Sequence, residues 1–216
     1  GLGDVYKRQH PNRCIEGVVG FVLHSILLVP YYSWAHSHAV HHAHCNHLEK
    51  GQTHVPSRAT SPTGKITEQL KQNLNPVIFG IISIFSHLII GWPLYLFFGV
   101  TGGEEYESPT SHFWNRKRNS TSKKRLFHKS FQKWMTRSNI GVLSMISLLI
   151  AASIQYSLLR VICLYGLPYV VINMWLTTYT WLQHTNQDIP HFSNETWSWS
   201  KGCLLYTSPS PRDLSE

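Results

Sequence analysis

Charged and apolar positions are segregated along this chain rather than mixed. Four stretches, residues 17–48, 72–103, 138–159 and 161–187, contain no Asp, Glu, Lys or Arg at all. Each is long enough to span a bilayer, because about 20 apolar residues cross the hydrocarbon as a helix. The first has an apolar part, 17–34, that contains Pro30 and runs straight into histidines, which predicts a helix buried at the membrane face rather than a full span. The second, 76–100, is strongly apolar but carries His87 and a Gly91-Trp92-Pro93 break. Only Arg160 separates the third and fourth. That spacing predicts a helical hairpin turning near residues 155–159, with Arg160 snorkelling to the interface. The expected fold class is therefore all-α, an integral membrane helical protein with a helical hairpin.

Composition narrows the function. Of 216 residues, 43% are hydrophobic and 14% charged, which excludes an intrinsically disordered chain. Cys14, Cys45, Cys163 and Cys203 lie far apart with no C-x-x-C pair, so neither a disulfide scaffold nor a thiolate zinc site is expected. The 8 Trp suit membrane-interface belts; Trp34, Trp175, Trp181, Trp197 and Trp199 read as interface anchors before substrate contacts. Nine of the 19 Lys and Arg fall in 116–137 without one acid. Such an excess in a short loop beside a span places it on the cytoplasmic side. A nucleic-acid partner is not expected, since the flanks are hydrocarbon-length helices and not a basic face with stacking platforms. Residues 1–9 and 203–216 are similar to translated sequencing-adapter ends, so the native part is expected to be 10–202, an internal piece of a longer protein. Excluding both ends leaves the net charge of +8 unchanged.

Candidate chemistry centres on histidine. His36, His38, His41, His42, His44, His47 and His54 sit within 19 residues, and His38, His41 and His42 form H-x-x-H-H. On a helix, positions i, i+3 and i+4 share a face, so these three imidazoles can converge on one metal or divide between two. Neutral imidazole binds transition metals without any other charge. Spacing also allows His41 with His44, or His44 with His47. A soluble His-rich tract, or histidines hydrogen-bonding at a membrane surface, would show the same count.

The run HSILLVPYYSWAHSHAVHH (24–42), followed by HLEKGQTHVP (47–56), resembles the second histidine box of membrane-bound fatty acid desaturases. In order, GWPLYL (91–96), ICLYGLPYVVINMWLTTYTWLQHT (162–185), DIPHF (188–192) and WSWSKG (197–202) agree with it. Together they are similar to the acyl-lipid omega-6 (delta-12) oleate desaturases and their omega-3 relatives, across nearly all of the native part. The resemblance implies a centre of two iron ions, with His38, His41 and His42 as ligands and His184 of the Q-H-T element as a further one. It implies an acyl-lipid substrate, electrons from cytochrome b5 or ferredoxin, and residence in the endoplasmic reticulum or plastid membrane. The family's first box is expected just before Pro11, and its third beyond Gly202. Neither is in this chain, so a partly built site that binds metal weakly and shows no turnover is expected. Ala39, Val40, His44 and Cys45 differ from the basic residues common in plant members and leave regioselectivity open.

If the box and His184 meet, an even number of crossings separates them, yet three apolar stretches intervene. One must turn back, and the Gly91-Trp92-Pro93 break nominates 76–100 as re-entrant or interfacial. His24 and His87 are expected to be structural, His112 and His128 solvated, and His191 and Asp188 to support a ligand. Desaturation removes hydrogen from an unactivated methylene, which side chains alone cannot do, so metal and O2 must. A hydroxylase or conjugase can share such a site. A His-rich metal transporter would also explain cluster and spans, but it should carry ionisable ligands inside its crossing helices.

Overall fold

The computed structural model describes residues 13–51, 55, 62–99, 105–106, 110–115, 123–184 and 190–204. His54 of the histidine cluster, the expected support Asp188, the ends 1–9 and 205–216, and part of the basic loop lie outside them. The described residues form helices α1 (Arg13–Ile26), α2 (Tyr31–Ala43), α3 (Pro62–Asn73), α4 (Pro76–Phe98) and α5 (Gln132–Tyr156). After them come α6 (Leu158–Val161), a π-helical turn (Ile162–Gly166), α7 (Leu167–His184) and α8 (Trp199–Leu204). No strand occurs among the described residues; two isolated bridges join His47 to Phe192 and Tyr106 to Lys124.

The first charge-free stretch folds as a bent pair. Two residues beyond α1, Leu28 is left-handed with a φ of 55°. Pro30 then caps α2, where its missing N–H costs no helical hydrogen bond. The two helices meet at 105°. Most of α1 is apolar and outward-facing, with Val18, Val22 and Leu23 exposed, whereas α2 buries Ser33, Ser37 and His41.

Among the described residues, three helical rods are long and apolar enough to cross a membrane: Pro76–Phe98, Lys129–Tyr156 and Leu158–His184. The last two are the expected hairpin, turning at Ser157 (φ 115°) between the predicted limits. Helix α4 corrects the reading of Gly91-Trp92-Pro93 as a break. It is helical throughout, with Asn75 accepting from the Val77 N–H at its start and left-handed Gly99 ending it. Pro93 only deprives the Ile89 carbonyl of its usual donor, a loss that apolar helices tolerate.

The expected return of the chain is nevertheless there. Glu105 N–H donates to the Glu49 carbonyl at 3.1 Å, so the segments before α3 and after α4 meet. Helix α4 runs antiparallel to α7, with His87 stacked on Trp181 at 5.2 Å and a Cβ at Gly91 lying 3.7 Å from Thr177. Beyond α4, Asn139 Nδ2 of α5 donates to the Phe113 carbonyl, which holds the returning loop beside the start of the hairpin. A small core of Leu126, Phe127 and Met135, with Val40, Tyr106 and Phe131 packed on it, joins that loop to α2.

Helices α1 and α5 touch at Gly141. A Cβ there would come within 2.6 Å of the Phe21 ring and would also overlap Ser25. Gly141→Ala should therefore push α1 off α5 and cost about 1–3 kcal/mol, read as a lower thermal unfolding midpoint in detergent. Gly80→Ala, with nothing within 4 Å, should leave the midpoint unchanged or raise it.

Candidate metal centre

The histidine box lies on the last turns of α2. His38 and His42, four residues apart, bring their Nε2 atoms to 3.0 Å. That is the separation of two nitrogens each about 2.1 Å from one ion and at right angles to each other. The His41 ring lies 6.0 Å from His38 and 5.4 Å from His42. Helix α7 delivers His184 to the same place, its ring 4.8 Å from His41. The structure thus brings together all four residues singled out as iron ligands. His41 is buried and His42 exposed. Among the described residues, no group of three or more His, Cys, Asp or Glu has metal-holding geometry. The donor chemistry fits iron as part of a ligand set, with four imidazoles at one place and two already aimed at a common point.

His44 turns elsewhere. Its Nδ1 donates to the Val40 carbonyl at 3.1 Å, and its ring faces His47 at 6.0 Å and Trp197 at 5.8 Å. His47 is 1% exposed. Its Nδ1 accepts from the backbone N–H groups of Glu49 and Lys50, so it carries no proton there, and the Glu49 carboxylate 3.3 Å away is not an ion-pair partner. Burial first, then the Lys50 charge, hold the His47 pKa below its usual value. The turn after the box is pinned by the tail of the chain. Phe192 N–H donates to the Asn46 carbonyl and Leu48 N–H to the Phe192 carbonyl, while the Trp197 indole donates to Cys45 and Asn46 Nδ2 donates to Gly202. Phe192 and the motif at 197–202 therefore serve as a clamp on the box.

His112 corrects an expectation. It is not solvated but 1% exposed, because the returning loop packs it against Phe127 and Tyr95. Its Nδ1–H donates to the Leu96 carbonyl at 3.2 Å, leaving Nε2 to accept from Ser37 Oγ at 2.9 Å. The Tyr95 hydroxyl completes the chain by donating to Ser37 at 3.1 Å. Ser37 immediately precedes His38, so this network anchors the box helix to α4. Sequence reasoning missed it by taking His112 as solvated; the aromatic Phe113 beside it was the signal of burial. His128 is exposed as expected and caps the turn Lys129–Phe131. His24 and His87 donate to the Gly20 and Ser83 carbonyls at 2.7 Å each, in keeping with structural roles. His191 is half-buried beside the Phe192 bridge.

The family model of fatty acid desaturases matches residues 3–205. This chain belongs to the fatty acid desaturase family. It is 37% identical to an acyl-lipid (9+3)-(E)-desaturase of Dimorphotheca sinuata, over 89% of this chain and 47% of that protein. It is 34% identical to an omega-6 fatty acid desaturase of Glycine max described as an endoplasmic reticulum isozyme, over 88% and 46%. A delta(12) fatty acid desaturase of Mortierella isabellina is 33% identical over 89% and 49%. The chain spans about half the length of these curated relatives. No solved structure matches it significantly.

Burial pushes the His112 pKa down to about 4. Below pH ~6.5 the unfolded chain takes a proton that the native site refuses, so stability falls as pH drops from 6.5 towards 4 and is flat above. Between pH 7 and 5 this one group should cost about 2 kcal/mol. His112→Gln should lose less stability over that interval than the unmodified chain, measured as unfolding midpoints at the two pH values. Equal losses would contradict the buried neutral imidazole.

Proposed function

We infer that this chain carries the central, iron-holding part of an acyl-lipid desaturase of the delta-12/omega-6 type. The observation that supports it most is the meeting of His41 with His184, which joins a box on α2 to the end of the hairpin. His38, His41, His42 and His184 would hold iron, and two iron ions would supply the O2 activation needed to remove hydrogen from two adjacent methylenes. The chain's own part is to orient the imidazoles. The Ser37–His112 bond holds the box helix from one side, and the backbone bonds to Phe192 hold the turn after it. The outward apolar faces of α1, α4 and the hairpin keep the site at the bilayer, where an acyl lipid is presented. The basic segment 116–137 suits an acidic electron donor such as cytochrome b5, or ferredoxin in a plastid, or anionic headgroups. The endoplasmic reticulum is the favoured membrane, as in the name of the soybean relative.

Stereochemistry and outcome are finer matters. One relative is named for an E double bond and others for delta-12 desaturation with no geometry in the name; a cis product is proposed from the resemblance to the oleate desaturases. A hydroxylase or conjugase would share the ligands and differ in how the substrate radical is resolved. The transporter reading loses ground because the box and His184 sit at helix ends. Four histidines are too few for two irons, so this chain alone should bind iron weakly and turn nothing over.

The test is bound iron in the purified, membrane-extracted chain under anaerobic ferrous loading. His41→Ala and His184→Ala should each reduce retained iron by at least about tenfold, whereas His44→Ala should not. Equal loss for His44→Ala would move the ligand register to His44 and His47. Desaturation of oleoyl lipid above an empty-membrane control would overturn the expectation of an incomplete centre.

A further inference from the structure

Aromatic rings run in an unbroken file from one proposed iron ligand to the start of α5. The Trp34 indole lies flat on His38, with centroids 4.5 Å apart and planes inclined by 16°. Trp34 is 5.0 Å from His24, and His24 is 5.0 Å from Tyr31. Tyr31 is 5.0 Å from Tyr32, which is 4.9 Å from Trp134. Trp134 in turn lies under the Arg137 guanidinium at 4.7 Å and the Lys133 ammonium at 5.5 Å.

Three helices hold this file in place. Gly20 of α1 carries the Tyr31 ring so closely that a Cβ would lie 2.6 Å from it, and the Gly20 carbonyl accepts from His24. Tyr32 N–H donates to Ser138 Oγ at 3.0 Å, and that hydroxyl donates to the Trp134 carbonyl. Indole and phenol are the ring side chains most readily oxidised by one electron. Rings in contact exchange electrons faster than an oxidant can diffuse to another target.

We propose that Trp34, Tyr31, Tyr32 and Trp134 form a relay that discharges an oxidant stranded at the histidine box to the protein surface. The inference rests on the reading that these histidines hold iron. Trp34 gives one electron to the oxidant that O2 or peroxide would yield at iron held by His38, and is refilled from Tyr31 across the His24 ring; Tyr31 and then Tyr32 each shed the phenol proton on losing an electron and regain one on being refilled. The deficit passes through Tyr32 to Trp134. In sum the oxidant gains one electron, and Trp134 loses one together with its Nε1 proton, which goes to solvent. Lys133 and Arg137 disfavour a cationic indole, so the radical left there is the neutral one. A soluble donor of the thiol or ascorbate class restores it by giving one electron and one proton. Substrate-free activation of O2 would otherwise oxidise the ligands.

The experiment uses the whole purified chain loaded with ferrous iron, its iron content measured, then treated briefly with hydrogen peroxide and mapped by peptide mass spectrometry. Trp114, 45% exposed and outside the file, is the internal reference for diffusing oxidants. Oxygen addition at Trp134 should exceed that at Trp114 several-fold. In Trp34→Phe it should fall to the Trp114 level while oxidation of His38, His41 and His42 rises, and Trp34→Tyr, which keeps an oxidisable ring, should retain it. Bound iron with a Trp134 signal unchanged in Trp34→Phe overturns the relay alone. A chain that binds no iron overturns the metal-centre reading and the relay with it.

Discussion

The contact between His41 and His184, rings 4.8 Å apart, ties the first charge-free stretch of the chain to the last. Two side chains meeting at one point must lie on one side of a membrane, which forces the intervening chain to cross an even number of times. The hairpin of α5 with α6 and α7 supplies two crossings. Whatever α4 does must then cancel, and the backbone bond from Glu105 to Glu49 shows that the excursion through α3 and α4 returns to its origin. Parity, and not hydropathy, decides how a third membrane-length helix is used.

A site of this kind also has to be paid for in polar groups buried beside hydrocarbon. Ser37, His47, His112 and Asn46 are all buried, and each leaves no more than its due unpaired. His112 gives its proton to a carbonyl and takes one from a hydroxyl; His47 accepts two backbone N–H groups. Buried polar groups of this sort cost roughly 1–3 kcal/mol each when left unsatisfied. Their networks therefore specify how the loop after α4 and the tail after α7 dock on α2. These hydrogen bonds act on the box helix together with the packing of Tyr31, Tyr32 and Val40 to fix its position.

Much of this was legible in the sequence, and the reasons are local. The hairpin turn near Ser157 followed from Arg160 standing alone between two apolar runs. The pairing of His38 with His42 followed from helical periodicity, and the partnership with His184 from resemblance plus the parity of crossings. What failed did so where a local rule met its surroundings. Pro93 breaks a helix in water, where a freed carbonyl and a competing chain conformation are both available; in a lipid-facing helix there is no better place for the backbone to go. His112 sits in a segment whose average polarity is high, but averages hide the Ser111 to Phe113 patch that packs inward. The file of rings from His38 to Trp134 was invisible because its members come from two separate parts of the chain.

The donor set explains why such a centre can sit so close to a bilayer. An imidazole ligates in its uncharged form, so His41 can serve at 6% exposed without the desolvation cost that a carboxylate ligand would carry. The positive charge then enters only with the metal. The same neutrality leaves the ligands without the negative charge that carboxylates use to stabilise a highly oxidised ion. Were these histidines to hold iron as proposed, an oxidisable indole lying flat on the His38 ring would be a consequential neighbour and not an incidental one.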